Sequence, residues 1–417
     1  MNRSKKEKRE FDVVVIGGGA SGMMAAGIAA KRGRKVAIVE KNKKLGKKLD
    51  ITGGGRCNIT NAEPDVHKFL AKYSDAQQFL YSPFSQFSAE DTFSFFENRK
   101  LPIVVEARKR AFPKTQNAPD VTNALYKMLI ENNVNIFTDS AIIEMKKDGE
   151  KITEAHSKDA IFSGKSFIIA TGGNSHPETG STGDVFKWLK KLGHTIKESS
   201  PDIVPLSTSD SWGHKLSGTS LSFMKVTFYA NGKRAFSETG KILFTHFGVS
   251  GPLILNCARK VADLFHIGKV TATIDAFPDT EIGTLEKNIL KLIDANKNKD
   301  FFNVFKEIAP KGTSVHIFPL LGIDASKKSN SITKEERSKV AHILKALPLT
   351  ITGLMGFDRA VVSDGGVILS EIDTKTMRSR LYKNLYLTGD ILHIQRPSGG
   401  YSLQLCWTTG YVAGLNS

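Results

Sequence analysis

This sequence predicts an α/β protein in which a discontinuous Rossmann-like dinucleotide-binding domain is interrupted by an inserted β-barrel-like domain and a small helical domain. Three observations predict it. A β-branched run, Phe11 to Ile16, leads into glycines at 17, 19 and 22 and then a small-residue helical stretch. A second apolar run, Ser166 to Ala170, ends in Thr171-Gly172-Gly173, and a third, Leu385 to Leu387, ends in Thr388-Gly389-Asp390. Between the second and third runs the pattern turns to strands and hairpins, then to lysine-rich helices, so the parts of the first domain flank an insertion.

The opening stretch carries the chemistry of a pyrophosphate site. A continuous apolar run such as Phe11 to Ile16 reads as a buried parallel strand. Gly17 allows the tight turn out of it, Gly19 lets a pyrophosphate approach the backbone, and Gly22 lets the next helix pack on the sheet. That helix, about Ala20 to Arg32, points its N-terminal N–H groups and positive dipole end at the phosphates. A second strand, Lys35 to Val39, closes with Glu40, placed to accept a ribose hydroxyl pair. Ile51-Thr-Gly53-Gly54-Gly55-Arg56-Cys57-Asn58 then supplies a backbone able to pass close to a flat ligand. Lys47 and Arg56 can neutralise a pyrophosphate.

The remaining elements follow in order. Residues 66–100 read as helical with a phenylalanine-rich core face, Arg108 to Pro119 as a polar turn region, and Val121 to Asn132 as a helix. Short strands are expected at Val134–Phe137, Ala141–Lys146, Lys151–His156 and Ala160–Phe162, with a hairpin turn at Asp148-Gly149. Asp184 to Leu192 is a short helix. Beyond Ser199, strands are expected at Ile203–Ser209, Ser222–Ala230 and Lys269–Ala276, with a hairpin turn at Asn231-Gly232. Ile242 to Pro252 reads as strand, glycine-rich turn and a helix with proline in its first turn. Residues 281–347 are helical, Thr350 to Val362 return by strands, Val367–Leu369 is a strand, and a final helix opens after Gly399-Gly400. The expected domains are therefore 1–195 and 359–417 for the dinucleotide fold, 196–280 with return strands at 349–358 for the barrel, and 281–348 for the helical part.

At 417 residues the chain exceeds one ordinary core. The net charge of +17 suits an anionic partner, but the lysines are scattered and form no compact run of five. A solvated basic surface is the simpler reading; a small-molecule substrate is expected and a nucleic-acid partner is not. No signal sequence or membrane span is evident. The three cysteines, 57, 257 and 406, are far apart with no Cys-x-x-Cys, and suggest neither a disulfide framework nor a thioredoxin-like redox pair, so a cytoplasmic location is expected, and no metal.

The order of the three strand–turn units resembles the two-dinucleotide-fold flavoproteins, which favours non-covalent FAD as the resident cofactor. There is no second G-x-G-x-x-G after a strand, so a dedicated Rossmann site for NAD(P)H has no support in the sequence. The resemblance goes further. Residues 44–58 (Lys-Leu-Gly-Lys-Lys-x5-Gly-Gly-Gly-Arg-Cys-Asn), 170–173 (Ala-Thr-Gly-Gly), 180–184 (Gly-Ser-Thr-Gly-Asp), 244–252 (Phe-Thr-His-Phe-Gly-x-Ser-Gly-Pro) and 399–404 (Gly-Gly-Tyr-x-Leu-Gln) look like the BaiN-type family of NAD(P)/FAD-dependent oxidoreductases. The resemblance spans essentially the whole chain. It implies FAD-dependent redox chemistry on a small organic substrate, with NAD(P)H as a transient electron donor; one branch of the family reduces ring enones of bile-acid type. One departure is that Ile391 to Ser398 replaces an acid-rich segment common after the Gly-Asp pair. Two rival readings are an RNA-modifying flavoprotein, such as a tRNA-modifying one, and a non-enzymatic FAD redox sensor.

On this reading, cofactor contacts are expected at Gly17, Gly19, Ala20, Ser21, Gly22, Glu40, Lys41, Lys47, Gly54, Gly55, Arg56, Cys57, Ala141, Ala170, Thr171, Gly172, Gly389, Asp390, Gly399, Gly400, Tyr401 and Gln404. Cys57 reads as a small buried residue rather than a reactive thiol. His246, Arg396 and Tyr401 are the candidate catalytic groups. Arg396 would stabilise anionic reduced flavin, and His246 or Tyr401 would deliver a proton. The turn around His246 and the segment 396–404 are expected to flank the isoalloxazine.

Overall fold

The computed structural model describes residues 6–417; residues 1–5 of the basic opening stretch lie outside them. The chain forms two compact units, Met1–Pro201 with Ala360–Ser417, and Asp202–Arg359.

The strands of the first unit are β1 (Glu7–Ile16), β2 (Val36–Val39), β3 (Thr60–Asn61), β4 (Ile103–Glu106), β5 (Arg110–Pro113), β6 (Asn135–Phe137), β7 (Ile142–Asp148), β8 (Lys151–Ser157), β9 (Ala160–Ile169) and β10 (Ile196–Asp202). The second unit contributes β11 (Leu206–Thr208), β12 (Ser220–Ala230), β13 (Lys233–Thr245), β14 (Gly248–Ser250), β15 (Val270–Asp275) and β16 (Leu347–Leu354). β17 (Val362–Val367) and β18 (Leu385–Leu387) return to the first.

The main sheet has the order β6-β2-β1-β9-β8-β7, with β18 also on β9. β1 pairs β2 and β9 in parallel, and β2 pairs β6 likewise. One edge of β9 is divided. Its first half pairs β8 (Glu154↔Ser163) and its last three residues pair β18 (Leu385↔Phe167). The divided edge places strand ends from both sides of the insertion next to one another. Val13 to Ile16 and Phe167 to Ile169 are buried, as strands covered on both faces must be.

Two helices close over the sheet at backbone distance. A Cβ at Gly410 in the final helix, Tyr401–Asn416, would lie 2.4 Å from Ser21 O, and one at Gly414 would lie 2.4 Å from Ala25 O. Ser21 and Ala25 belong to the first helix, Ala20–Lys31. The small residues that give the final helix little amphipathic pattern are thus what lets it pack. Trp407 anchors it, fully buried and donating from Nε1 to Ile59 O at 2.9 Å.

The second unit is a closed antiparallel barrel, β11-β14-β13-β12-β15-β16. Helix Pro252–Phe265 starts with its proline in the first turn. The helices Ile282–Ala295, Phe301–Ile308 and Lys334–Lys345 bury Ile289, Phe305 and Val340 in one cluster with the barrel's Val226, Phe228 and Ile274.

Several local expectations need correction. The polar region 108–119 contains β5, whose Ala111 and Phe112 are buried beside β4 and β3; the charges of Arg108, Lys109 and Arg110 mask that short strand. The runs 160–162 and 166–170 are one strand, β9. Gly164 does not break it, because a Cβ there would sit 2.9 Å from Val14 Cγ2 and only glycine fits. The strand expected at 367–369 is Val362–Val367, which runs through Gly365 and Gly366. Both have positive φ, and a Cβ would meet Glu198 O at 2.6 Å and Ile391 O at 2.2 Å respectively. β10 pairs β17, so residues 196–201 remain with the first unit.

Candidate functional site

The carboxyl ends of β1, β9 and β18 lie side by side, the position at which open α/β sheets bind ligands. Gly17 turns the chain out of β1 at φ +103°, and a Cβ there would lie 2.5 Å from Ala170 O at the end of β9. Gly22 is equally constrained, its Cβ position lying 1.9 Å from Gly17 O. Gly19 differs: nothing lies within 4 Å of its Cβ position. The two outer glycines serve packing, and the middle one keeps open the space before the N–H groups of the first helix. Ala20 and Ser21 begin that helix.

Glu40 is buried and fastens this loop. Its Oε2 accepts from Gly18 N–H at 2.7 Å, and Oε1 accepts from Asn42 N–H at 2.8 Å. Ser140 N–H donates to Glu40 O at 2.9 Å, which sets exposed Ala141 beside it. Oε1 also accepts from Asn42 Nδ2 at 2.6 Å, so the carboxylate has three protein donors and its one remaining acceptor position is on Oε2.

Gly53, Gly54 and Gly55 are consecutive left-handed residues, at φ +59°, +68° and +84°. Three in a row at positive φ require glycine. The Cβ positions of Gly54 and Gly55 face open space. Arg56 closes the turn. It donates to Glu106 Oε1 at 3.0 Å and Gln116 Oε1 at 2.8 Å, and lies 4.2 Å from the Phe112 ring centre. Its charge is thereby held on Glu106. Cys57 is fully buried, and burial pushes its thiol up to about 12, which keeps it protonated and inert.

Of the expected lysines, Lys41 bonds Thr182 Oγ1 at 2.7 Å, and Lys47 bonds Glu178 O at 2.6 Å. The lysine that reaches the end of β18 is Lys48, which the sequence reading passed over: its Nζ bonds Ser175 Oγ and lies 3.6 Å from Asp390 Oδ2. The five lysines between 41 and 48 carry no sequence signal for which one turns inward.

Asp390 follows Gly389, whose φ is +66° and whose N–H donates to Thr409 Oγ1 at 2.9 Å. Burial opposes the Asp390 charge, but the Arg396 guanidinium and the Lys48 ammonium outweigh it and hold the carboxyl below its usual value. Arg396 is itself buried. It is ion-paired with Asp390, donates from Nε to Ser402 Oγ at 3.0 Å, and bonds Ile394 O. The structure therefore shows Arg396 as the partner of Asp390, fixing the loop 390–402.

That loop ends in Gly399 and Gly400, at φ +117° and +101°. With the Asn58 amide oriented to satisfy its neighbours, its oxygen accepts from Gly400 N–H at 3.0 Å. Tyr401 is buried against Phe69, with ring centres 5.0 Å apart, and its carbonyl accepts from Tyr73 O–H at 2.8 Å. Burial and the Glu63 carboxylate raise the Tyr401 phenol, keeping it protonated.

The Gln404 side chain is held within the protein. Its Oε1 accepts from Thr60 Oγ1 at 2.6 Å and Thr92 Oγ1 at 2.9 Å, and its Nε2 donates to Ser88 O at 3.0 Å and Thr408 Oγ1 at 3.1 Å. An amide with four internal partners has nothing left to offer a ligand. His246 belongs to the second unit, exposed between β13 and β14 with its ring edge-on to Phe247.

Two features of the first unit fit a dinucleotide. Buried Thr171 Oγ1, at the turn after β9, has no hydrogen-bond partner among the described residues. The backbone at Gly19, Gly54 and Gly55 is open where a Cβ would intrude. No metal-binding cluster of three His, Cys, Asp or Glu occurs among the described residues, and none of their helices is long and apolar enough to cross a membrane.

Split parallel sheet, glycine turn, strand-end carboxylate and Gly-Asp turn together define a Rossmann flavoprotein of the FAD-dependent oxidoreductase class. The chain belongs to the family described as HI0933-like protein Rossmann domain, which matches residues 11–416. It is 29% identical to a 3-dehydro-bile acid delta(4,6)-reductase from Clostridium scindens over 96% of this chain and 97% of the relative. It is 25% identical to a ribosomal RNA dihydrouridine synthase from Escherichia coli over 96% of each chain. The solved structure of a 3-ketosteroid-delta4-(5alpha)-dehydrogenase from Rhodococcus jostii superposes with TM-score 0.54 at 13% identity, covering 99% of this chain and 98% of the other. That last likeness is one of fold.

Proposed function

We propose that this protein is an FAD-dependent reductase of a carbon–carbon double bond conjugated to a carbonyl in a small organic substrate, with NAD(P)H as transient electron donor. The observation that carries the reading is the convergence of the open Gly19 turn, Glu40 and the Asp390 turn at adjacent strand ends of one unit. Bound FAD supplies reversible two-electron chemistry there. The chain's own residues supply orientation and charge. The Gly17–Gly22 turn and the first helix face the pyrophosphate, and Glu40 faces the adenosine ribose. Asp390 stays ionised between Lys48 and Arg396, and so remains an acceptor for hydroxyls of the ribityl chain. Gly399 and the positive end of the final helix favour negative charge on a ligand beside them. Tyr401, kept protonated, is the proposed proton donor within the first unit.

The names of the relatives support the bond type. A delta(4,6) system next to a 3-oxo group and the 5,6 bond of uracil are both alkenes conjugated to a carbonyl. The net charge of +17 and the relatives named as acting on ribosomal RNA favour a second reading, with uracil in RNA as the alkene. One experiment tests both. The flavin spectrum is followed anaerobically on adding NADH or NADPH, and reoxidation is then sought with a steroid 4-en-3-one or with unmodified ribosomal RNA. Mass spectrometry should find a gain of two hydrogens in the acceptor. If neither acceptor reoxidises the flavin faster than buffer does, the proposal fails.

A further inference from the structure

The β4–β5 hairpin carries a feature that the cofactor site does not use. Its tip holds two consecutive left-handed residues that are not glycine, Arg108 at φ +61° and Lys109 at φ +58°. Such a pair costs of order 1–3 kcal/mol per residue and persists only where its surroundings fix it. Here they do. Ala62 N–H donates to Lys109 O at 2.7 Å, and Lys109 Nζ bonds Glu63 Oε2 at 2.6 Å. The Asn61 amide donates to Arg108 O at 3.2 Å and to Gly399 O at 3.1 Å. One side chain thus ties the hairpin tip to the Gly399 turn.

The charges around the tip sort unevenly. Arg56 and Arg110 share Glu106, at 3.0 Å and 3.9 Å, and Lys109 takes Glu63. The Arg108 guanidinium is exposed and makes no ion pair or hydrogen bond among the described residues. On the same hairpin, Val105 is 53% exposed. An exposed planar cation on a hairpin tip whose backbone is held, with apolar surface on the same hairpin, suits an oxyanion carried on an apolar or stacked body.

We propose that Arg108 recognises a carboxylate or phosphate oxyanion on the substrate, and so selects an acidic substrate at the Gly399 turn. This rests on the reading of that turn as an edge of the cofactor site. The two sources of oxyanion are a carboxylated small enone and the phosphate of an RNA strand.

The test is binding to the oxidised, FAD-loaded protein, read as perturbation of the flavin absorbance. The probes are a neutral steroid 4-en-3-one, the same nucleus bearing a side-chain carboxylate, and a short uridine-containing RNA. The wild type should bind one of the two anionic probes at least about tenfold more tightly than the neutral one. Arg108→Ala should erase that preference while leaving neutral-probe affinity and FAD content unchanged, and Arg108→Lys should restore part of it. Preference for the carboxylate alone assigns the small acid, and preference for the RNA alone assigns the strand. Equal wild-type affinity for all three probes, no binding of any probe, or an undiminished preference in Arg108→Ala overturns the inference. Failure of the functional proposal would appear elsewhere, as absent reoxidation with the binding preference intact.

Discussion

Gly19 and Gly22 are three residues apart in one motif, yet the structure gives them different tasks, and paired substitutions separate those tasks. At Gly19 the backbone is at φ −82°, allowed for any residue, and the Cβ position is empty to 4 Å. Gly19→Val therefore costs the fold little, about 1 kcal/mol at most for a poor residue at a helix N-cap. Its branched side chain instead fills the approach to the helix N–H groups. Losing two charge-assisted hydrogen bonds of about 1.5–3 kcal/mol each weakens FAD binding by about 3–6 kcal/mol, or roughly 10²–10⁴-fold. At Gly22 a methyl group would lie 1.9 Å from Gly17 O, against backbone that cannot swing aside. Gly22→Ala should cost the fold at least the roughly 1–3 kcal/mol typical of overpacking. The assay is melting of the flavin-free proteins alongside FAD affinity from quenching of flavin fluorescence. Gly19→Val should melt like the wild-type apoprotein and bind FAD poorly, whereas Gly22→Ala should melt lower even without flavin. A Gly19→Val protein that binds FAD within about threefold of wild type would refute the assignment of that space to the pyrophosphate.

Other expectations follow from the same unit. Arg396→Ala removes the partner of a buried carboxylate and should lower stability by about 3–5 kcal/mol in urea unfolding; a loss under about 1 kcal/mol would show that Lys48 alone suffices. Gln404→Leu removes four buried hydrogen bonds, although Ser88 O keeps its bonds from Thr92 and Thr408 Oγ1 keeps Phe87 O, and should cost about 1–3 kcal/mol by the same measurement. Buried His194 bonds Glu371 Oε2 at 2.7 Å and Ser379 Oγ at 3.1 Å, and burial outweighs Glu371 to lower its pKa from 6.5. Below that pH the unfolded chain takes up a proton that the folded histidine resists, so stability falls as pH drops through 6.5 and is flat above it. His194→Gln should flatten that part of the curve, and an unchanged slope would exclude His194 as its source.

The sequence announced the frame of the cofactor site because that frame is made of backbone. Glycine at 17, 22 and 53–55 is demanded by positive φ or by close approach, and such demands are written directly in residue type. What side chains do over distance was less legible. Arg396 stands in a Pro-Ser-Gly-Gly segment and reads as a free cation, but its loop folds back six residues to Asp390. Lys47 and Lys48 are neighbours of the same type, and only the turn at 44–50 decides which reaches the carboxylate. Gln404 sits in a motif beside the expected cofactor, yet its partners come from residues 60, 88, 92 and 408, which no local pattern brings together. The hairpin at 103–113 was hidden by its own charges, since alternation over four residues is too short to outweigh three adjacent cations.

The divided chain also bears on how the protein folds. The buried cluster around the main sheet draws on residues up to Leu192 and from Val367 onward, with none from 202–359, and the barrel cluster draws only on Leu206 to Ile351. Each unit thus has its own core, which is the physical condition for folding alone. The chain leaves and re-enters the first unit through β10 and β17, which are paired. Gly365 approaches Glu198 so closely that a Cβ would lie 2.6 Å from Glu198 O. The ends to be rejoined are therefore near, and a short loop costs little closure entropy. A chain of residues 1–201 joined to 360–417 by a few glycines and serines should be monomeric or dimeric but folded, melt cooperatively, and bind FAD within about tenfold of the intact protein. Cooperative melting with FAD bound in that chain would place the whole cofactor site in the first unit. A chain that melts without cooperativity would show that the sheet, despite its separate core, depends on the inserted residues.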